Sequence, residues 1–172
     1  MIRGIIYFVI IVMFQTLVVN QIHLFGIVTP FIYIYILLKI RIDMSRSFVI
    51  VLSFLLGLII DIFSNTPGIH AAACTFIGFI RKPLSGQFVD LKELPDRSVP
   101  SFGLFGFSKF FRYALILTAI HHTALFLIES FSFYQPWLMF TRMTSSILLS
   151  LLLIFIIEAF NPGNKRKWRT TD

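Results

Sequence analysis

The chain has 172 residues, of which 57% are hydrophobic and only 13% charged. A soluble domain carries about 25% charged residues, so this composition excludes an ordinary water-soluble fold and points to lipid-facing surface. The formal charge of +7 would suggest nucleic acid in a soluble protein, but here the basic residues lie in connections between apolar runs, where the positive-inside bias of membrane proteins accounts for them.

Six apolar runs are predicted to cross a membrane, at 4–19, 24–40, 48–64, 69–80, 113–128 and 137–160. A bilayer needs roughly 17–25 such residues per helix, so the first and fourth are short. The first ends in bulky Leu17-Val18-Val19 rather than a small-residue cleavage motif, and is expected to be a retained helix. Every Lys and Arg except Arg142 falls at the start of the chain, at the end of the second run or between it and the third, between the fourth and fifth, or after the sixth. Connections near 20–23, 65–68 and 130–135 hold none. The expectation is therefore a compact bundle of six transmembrane helices, all α, with both termini cytoplasmic. The short outer connections make three helical hairpins.

The most informative stretch joins the third and fourth runs, Gly57-Leu-Ile-Ile-Asp-Ile-Phe-Ser-Asn-Thr-Pro-Gly-Ile-His70. Gly57 and Asp61 are four apart and share a helix face. Gly57 permits close helix approach, Pro67-Gly68 supplies a turn, and Ala71–Ala73 make the next helix thin. Asp61 and His70 flank the turn symmetrically. Asp61 is read either as a buried carboxylate holding the turn or as a ligand or proton site. Cys74 is the single cysteine, so no internal disulfide is possible, and it reads as a small packing residue.

The connection 81–112 is expected to be a long cytoplasmic loop, with Pro83, Pro95 and Pro100. Its aromatic end at 101–111 is either an interfacial segment or a docking surface. On the fifth run Thr118, His122 and Glu129 share a face, with His121 about 100° away. Adjacent histidines on one helix do not converge on one point, which argues against a metal site. A proton relay or interhelical hydrogen bonds remain as roles. Glu129 and Arg142 sit at similar depth about the third outer connection. They are expected to pair across the fifth and sixth helices, or else to reach separately to the headgroups. Gln15, Asn20 and Glu158 are further polar candidates within the spans. The tail 164–172 is short and basic. No phosphate-binding Gly-Lys-Ser/Thr loop, His-Glu-x-x-His or Gly-x-Ser-x-Gly occurs, so no enzyme, cofactor or metal is expected.

With its short outer connections, retained first helix and Gly57-Leu-x-x-Asp61 … Pro67-Gly68-Ile-His70-Ala71, the chain resembles the bacterial rod shape-determining MreD family. The resemblance covers most of the chain in length, hydropathy and orientation, while the loop 81–112 is longer than that family's. It implies a non-enzymatic scaffold in the bacterial inner membrane, within the machinery that elongates the cell wall. The implied partner is an MreC-like bitopic protein, linked to MreB-like filaments and to SEDS and penicillin-binding synthases. It also implies a fold similar to ECF transporter substrate-binding subunits. The expected contact surface is the Gly57/Asp61 face with Ala71–Ala73, so that Gly57→Leu would abolish partner binding without affecting insertion. The alternative is a small-molecule-binding subunit of an ECF-type transporter, although the first run, 4–19, lacks the alanine-rich docking motif such subunits carry. A proton-coupled carrier using Asp61, His122 and Glu129 is a third reading.

Overall fold

The computed structural model describes residues 10–16, 29–129 and 136–161, and among these every regular element is a helix. In chain order they are α1 (10–16), α2 (Ile34–Leu38), α3 (Arg46–Ser64), α4 (Ile69–Ser85), α5 (Phe102–Phe105), α6 (Phe107–Glu129) and α7 (Pro136–Ala159). Three of them, α3, α6 and α7, are long and apolar enough to cross a membrane. The remainders of the first and second expected spans, the third outer connection and the basic tail lie outside the described residues.

α3 turns many of its large apolar residues outward and its small and polar ones inward, beside Val49, Leu56 and Ile60. Phe48, Val51, Phe54, Leu55, Ile62 and Phe63 are exposed, whereas Ser53, Gly57 and Asp61 are buried. α7 repeats this, with Phe140, Leu148, Leu152 and Ile156 exposed and Ser146, Ser150 and Glu158 buried. Apolar surface of this extent belongs in lipid rather than in water.

Local chemistry sets the ends of the α3–α4 hairpin. The Ser45 hydroxyl accepts from the Phe48 N–H and caps α3. Asn65 closes the helix in the left-handed conformation, at φ 54°. Gly68 then turns the chain at φ 88° into α4, a conformation that favours glycine. The two helices lie in very close contact. A Cβ on Gly57 would stand 2.5 Å from both Ala71 Cα and the His70 carbonyl oxygen. One on Gly78 would stand 2.5 Å from Ser53 Oγ. Glycine at both crossings lets the two backbones approach this closely. Below, the end of the bundle holding Asn65–Gly68 is the turn end and the end holding residues 86–106 is the loop end.

The second apolar run differs most from expectation. In place of a helix through 24–40, residues 29–33 are non-helical and α2 is only five residues long. Phe31, Ile32, Tyr33, Ile34, Leu37 and Leu38 are all buried. The described part of this run, 29–40, is apolar because protein surrounds it, not because it faces lipid. Pro30 lacks the N–H that a continuing helix requires. The amides left without helical partners are taken up by side chains of other helices. Phe31 N–H donates to Ser150 Oγ (2.9 Å), Thr29 N–H to Ser146 Oγ (3.2 Å) and Ile32 N–H to Gln15 Oε1 (2.7 Å). Gln15 in turn donates to the Pro30 carbonyl at 3.1 Å. Irregular backbone at membrane depth is tolerated where protein satisfies it in this way.

The connection 81–112 is also shorter than expected. Residues 81–85 extend α4, and 107–112 form the first turns of α6. The aromatic segment 101–111 is thus largely helical. Phe105 and Phe110 are buried in it, and Phe107 and Phe111 are exposed. α4 packs between α3 and α6, and α7 packs on α6.

A buried polar network at the bundle centre

Asp61 is buried at the last turn of α3, and its carboxylate reaches across the turn. Oδ1 accepts from the His70 backbone N–H at 3.1 Å and from the Thr66 hydroxyl, and Oδ2 accepts from Ala71 N–H at 2.8 Å. A carboxylate here satisfies the free amides at the start of α4 and meets the positive end of its dipole. Asp61 therefore holds the turn through backbone groups, not through the His70 imidazole.

That imidazole points inward instead. His70 Nδ1 lies 2.8 Å from the Tyr33 hydroxyl, which also lies 3.0 Å from His121 Nε2. Cys74 Sγ is 3.9 Å from the same His121 nitrogen. Tyr33, His121 and Cys74 are fully buried. The neighbouring His122 belongs to a second chain of bonds. Its Nδ1 donates to the Thr118 carbonyl (2.8 Å), leaving Nε2 as the acceptor for the Ser150 hydroxyl (3.2 Å). Ser150 accepts from Phe31 N–H as described above, so this tautomer is fixed by its neighbours. The Phe31 ring packs against all three imidazoles, with centroids 5.2–6.1 Å apart. The broken stretch 29–33 thus joins α4, α6 and α7. Among the described residues no three His, Cys, Asp or Glu side chains are grouped to hold a metal ion.

A second polar cluster closes the loop end. Glu158, fully buried on α7, faces Lys39 Nζ at 3.0 Å. It also accepts from the Tyr35 hydroxyl (2.8 Å) and the Phe102 N–H (3.2 Å). Lys39 Nζ additionally donates to the Pro100 carbonyl at 2.7 Å. The Arg81 guanidinium, buried on α4, donates to the carbonyls of Ile40 and Arg41. Three charged groups, Lys39, Glu158 and Arg81, thus tie the end of α2 to α4, α7 and the connection before α5.

The expected Glu129–Arg142 pair does not form. Both side chains are exposed, and no ion pair joins them among the described residues. Each stands near a helix end, where a long side chain reaches water at less cost than a desolvated pair. Gly57 and Asp61 lie inside the hairpin, not on an open surface. Only Ala72 of the three alanines is exposed. A leucine at position 57 would push α3 and α4 apart, so Gly57→Leu tests folding rather than partner contact. Pro67 shapes the turn and touches neither cluster.

Outside the hairpin lies an apolar groove of about 680 Å³. Ile50, Phe54 and Leu58 of α3 form one wall, and Ala72, Thr75 and Phe76 of α4 the other. At its loop-end margin the Arg46 guanidinium stacks 4.0 Å from the centre of the Phe79 ring. Comparison with protein-family models, curated proteins and solved structures finds no match for the chain.

Proposed function

We propose that this chain is a non-enzymatic scaffold of the bacterial cell-wall elongation machinery, and that it binds the membrane-spanning helix of an MreC-like bitopic partner. In this reading it crosses the inner membrane six times with both termini cytoplasmic, so that the loop end is the cytoplasmic end. The distribution of basic residues supports that orientation.

The observation that carries the reading is the groove on the α3–α4 hairpin. Its walls are apolar, and its floor is thinned by Gly68, Ala71 and Ala72. Helices associate in lipid by close packing on small residues, and the groove offers such a surface at the first turn of α4. Behind it, Gly57 and the Asp61 cap hold the two helices rigidly, so little conformational freedom is lost when a partner helix docks. The MreB-like filaments and the SEDS and penicillin-binding synthases would be reached through that partner.

The test is gentle extraction of the native complex followed by mass spectrometry of its stoichiometric components. Recovery of a single-span protein with an outer domain supports the scaffold. Recovery of paired ATPases with a second multispan subunit contradicts it and favours the small-molecule-binding subunit of a transporter.

A further inference from the structure

Among the described residues, four buried side-chain atoms have no hydrogen-bond partner: Arg81 Nε, Tyr113 Oη, Thr118 Oγ1 and His121 Nδ1. All four belong to α4 or α6. The two helices run antiparallel, because Cys74 meets His121 at mid-bundle while Phe88, just past α4, packs on Tyr113 near the start of α6. Arg81 lies seven residues beyond Cys74 and Tyr113 eight before His121, about 10 and 12 Å along their axes. Arg81 and Tyr113 are therefore at one level, near the loop end. His121 leads on to the Tyr33 cluster, and Thr118, one turn before it, lies on α6 between the His121 and His122 faces.

A buried polar atom without a partner costs about 1–3 kcal/mol, and native interiors leave few of them. Thr118 is unusual in this respect. Ser53, Thr75, Ser85, Thr141 and Thr144 all return their hydroxyls to the carbonyl four residues back. The Thr118 hydroxyl does not, and its own carbonyl serves His122. We propose that ordered water bridges these four atoms along α6 and carries protons from the loop end, beside Arg81 of α4, to the Tyr33–His70–His121 cluster. Buried waters typically take about three such partners each.

Proton bookkeeping at Tyr33 supports this direction. Its hydroxyl has one proton and stands between two imidazole nitrogens. It donates to one, and the other must donate to its oxygen. When Tyr33 donates to His70, His121 carries its proton on Nε2 and offers a bare Nδ1 to the water. A proton arriving there forms the Nδ1–H bond. The Nε2 proton then passes to the Tyr33 oxygen, and the Tyr33 proton passes to His70 Nδ1. The net result is one proton taken from water and one positive charge placed on His70, whose backbone N–H already binds Asp61. The titratable groups around this path are Tyr33 from the stretch before α2, Asp61 from α3, His70, Cys74 and Arg81 from α4, and Tyr113 and His122 from α6. α7 contributes Ser150, which does not titrate, and at the loop end Glu158, ion-paired with Lys39 from the end of α2.

The test is deuterium exchange of the histidine ring protons, followed by NMR of protein labelled with nitrogen-15 at histidine. The His121 ring is expected to exchange at least tenfold faster than the backbone amides of its own turn. Thr118→Val should slow it tenfold or more, Thr118→Ser should restore it, and Tyr113→Phe should slow it independently. His122 should be unaffected, since both its nitrogens are held by protein. A His121 ring as protected as its surrounding amides would overturn the proposal. So would unchanged exchange in Thr118→Val together with a raised melting temperature, the signature of deleting a dry, unsatisfied hydroxyl.

Discussion

The Asp61 carboxylate accepts two backbone N–H groups and one hydroxyl while almost wholly buried. Asn would leave an amine facing one of those donors. Asp61→Asn is expected to destabilise the protein by about 1–3 kcal/mol, read as a lower melting temperature in detergent. Asp61→Ala should cost more, because the amides of His70 and Ala71 both lose their acceptor. Gly57→Ala tests a different cause, with overpacking by one methyl at this crossing expected to cost about 1–3 kcal/mol. Gly68→Ala meets open space and should cost only the backbone strain of its positive φ, roughly 1 kcal/mol. If Gly57→Ala melts no lower than Gly68→Ala, the close crossing is not a constraint. These roles were legible in the sequence, since Gly and Asp four apart before an Asn-Thr-Pro-Gly turn carry their own physical meaning. Tyr33 was not. Nothing in an apolar run marks one tyrosine as the hub of two histidines, although a buried hydroxyl always needs partners.

The second apolar run shows where hydropathy alone misleads at the scale of elements. It has the length and composition of a span, and periodicity cannot separate lipid burial from protein burial. The available signals were Pro30 within the run and the Ser146/Ser150 spacing on α7, which places two hydroxyls on one face. The pairing arithmetic likewise chose the exposed Glu129 and Arg142, because it used depth without facing. The buried ion pair Lys39–Glu158 joins segments over a hundred residues apart, which no local pattern reveals. Lys39→Ala removes one ionic partner of the buried Glu158 carboxylate and is expected to lower the melting temperature, because a buried charge loses part of its compensation. Adding Glu158→Gln should recover part of that loss in the double variant. A double variant as unstable as the sum of the two singles would show that the two groups are not coupled.

For the whole molecule, a close-packed hairpin with an apolar outer groove is attached to a hydrophobic core threaded by buried polar groups. The inside mixes aliphatic and aromatic residues with serines, histidines and two carboxylates, and the outside also carries phenylalanine and leucine. The apolar outside was readable from composition, whereas the groove emerges only when two close-packed helices are placed side by side. The most direct test of the docking account is disulfide cross-linking in native membranes. Single cysteines would be placed at Leu58, Ala72 and Thr75 in the groove and at Leu148 and Leu152 on the exposed face of α7, with Cys74 replaced by Ala and a matching cysteine series in the partner's membrane helix. The account predicts cross-links to the partner from the groove positions, and none from α7. Cross-links from α7 alone, with the complex intact, would contradict it.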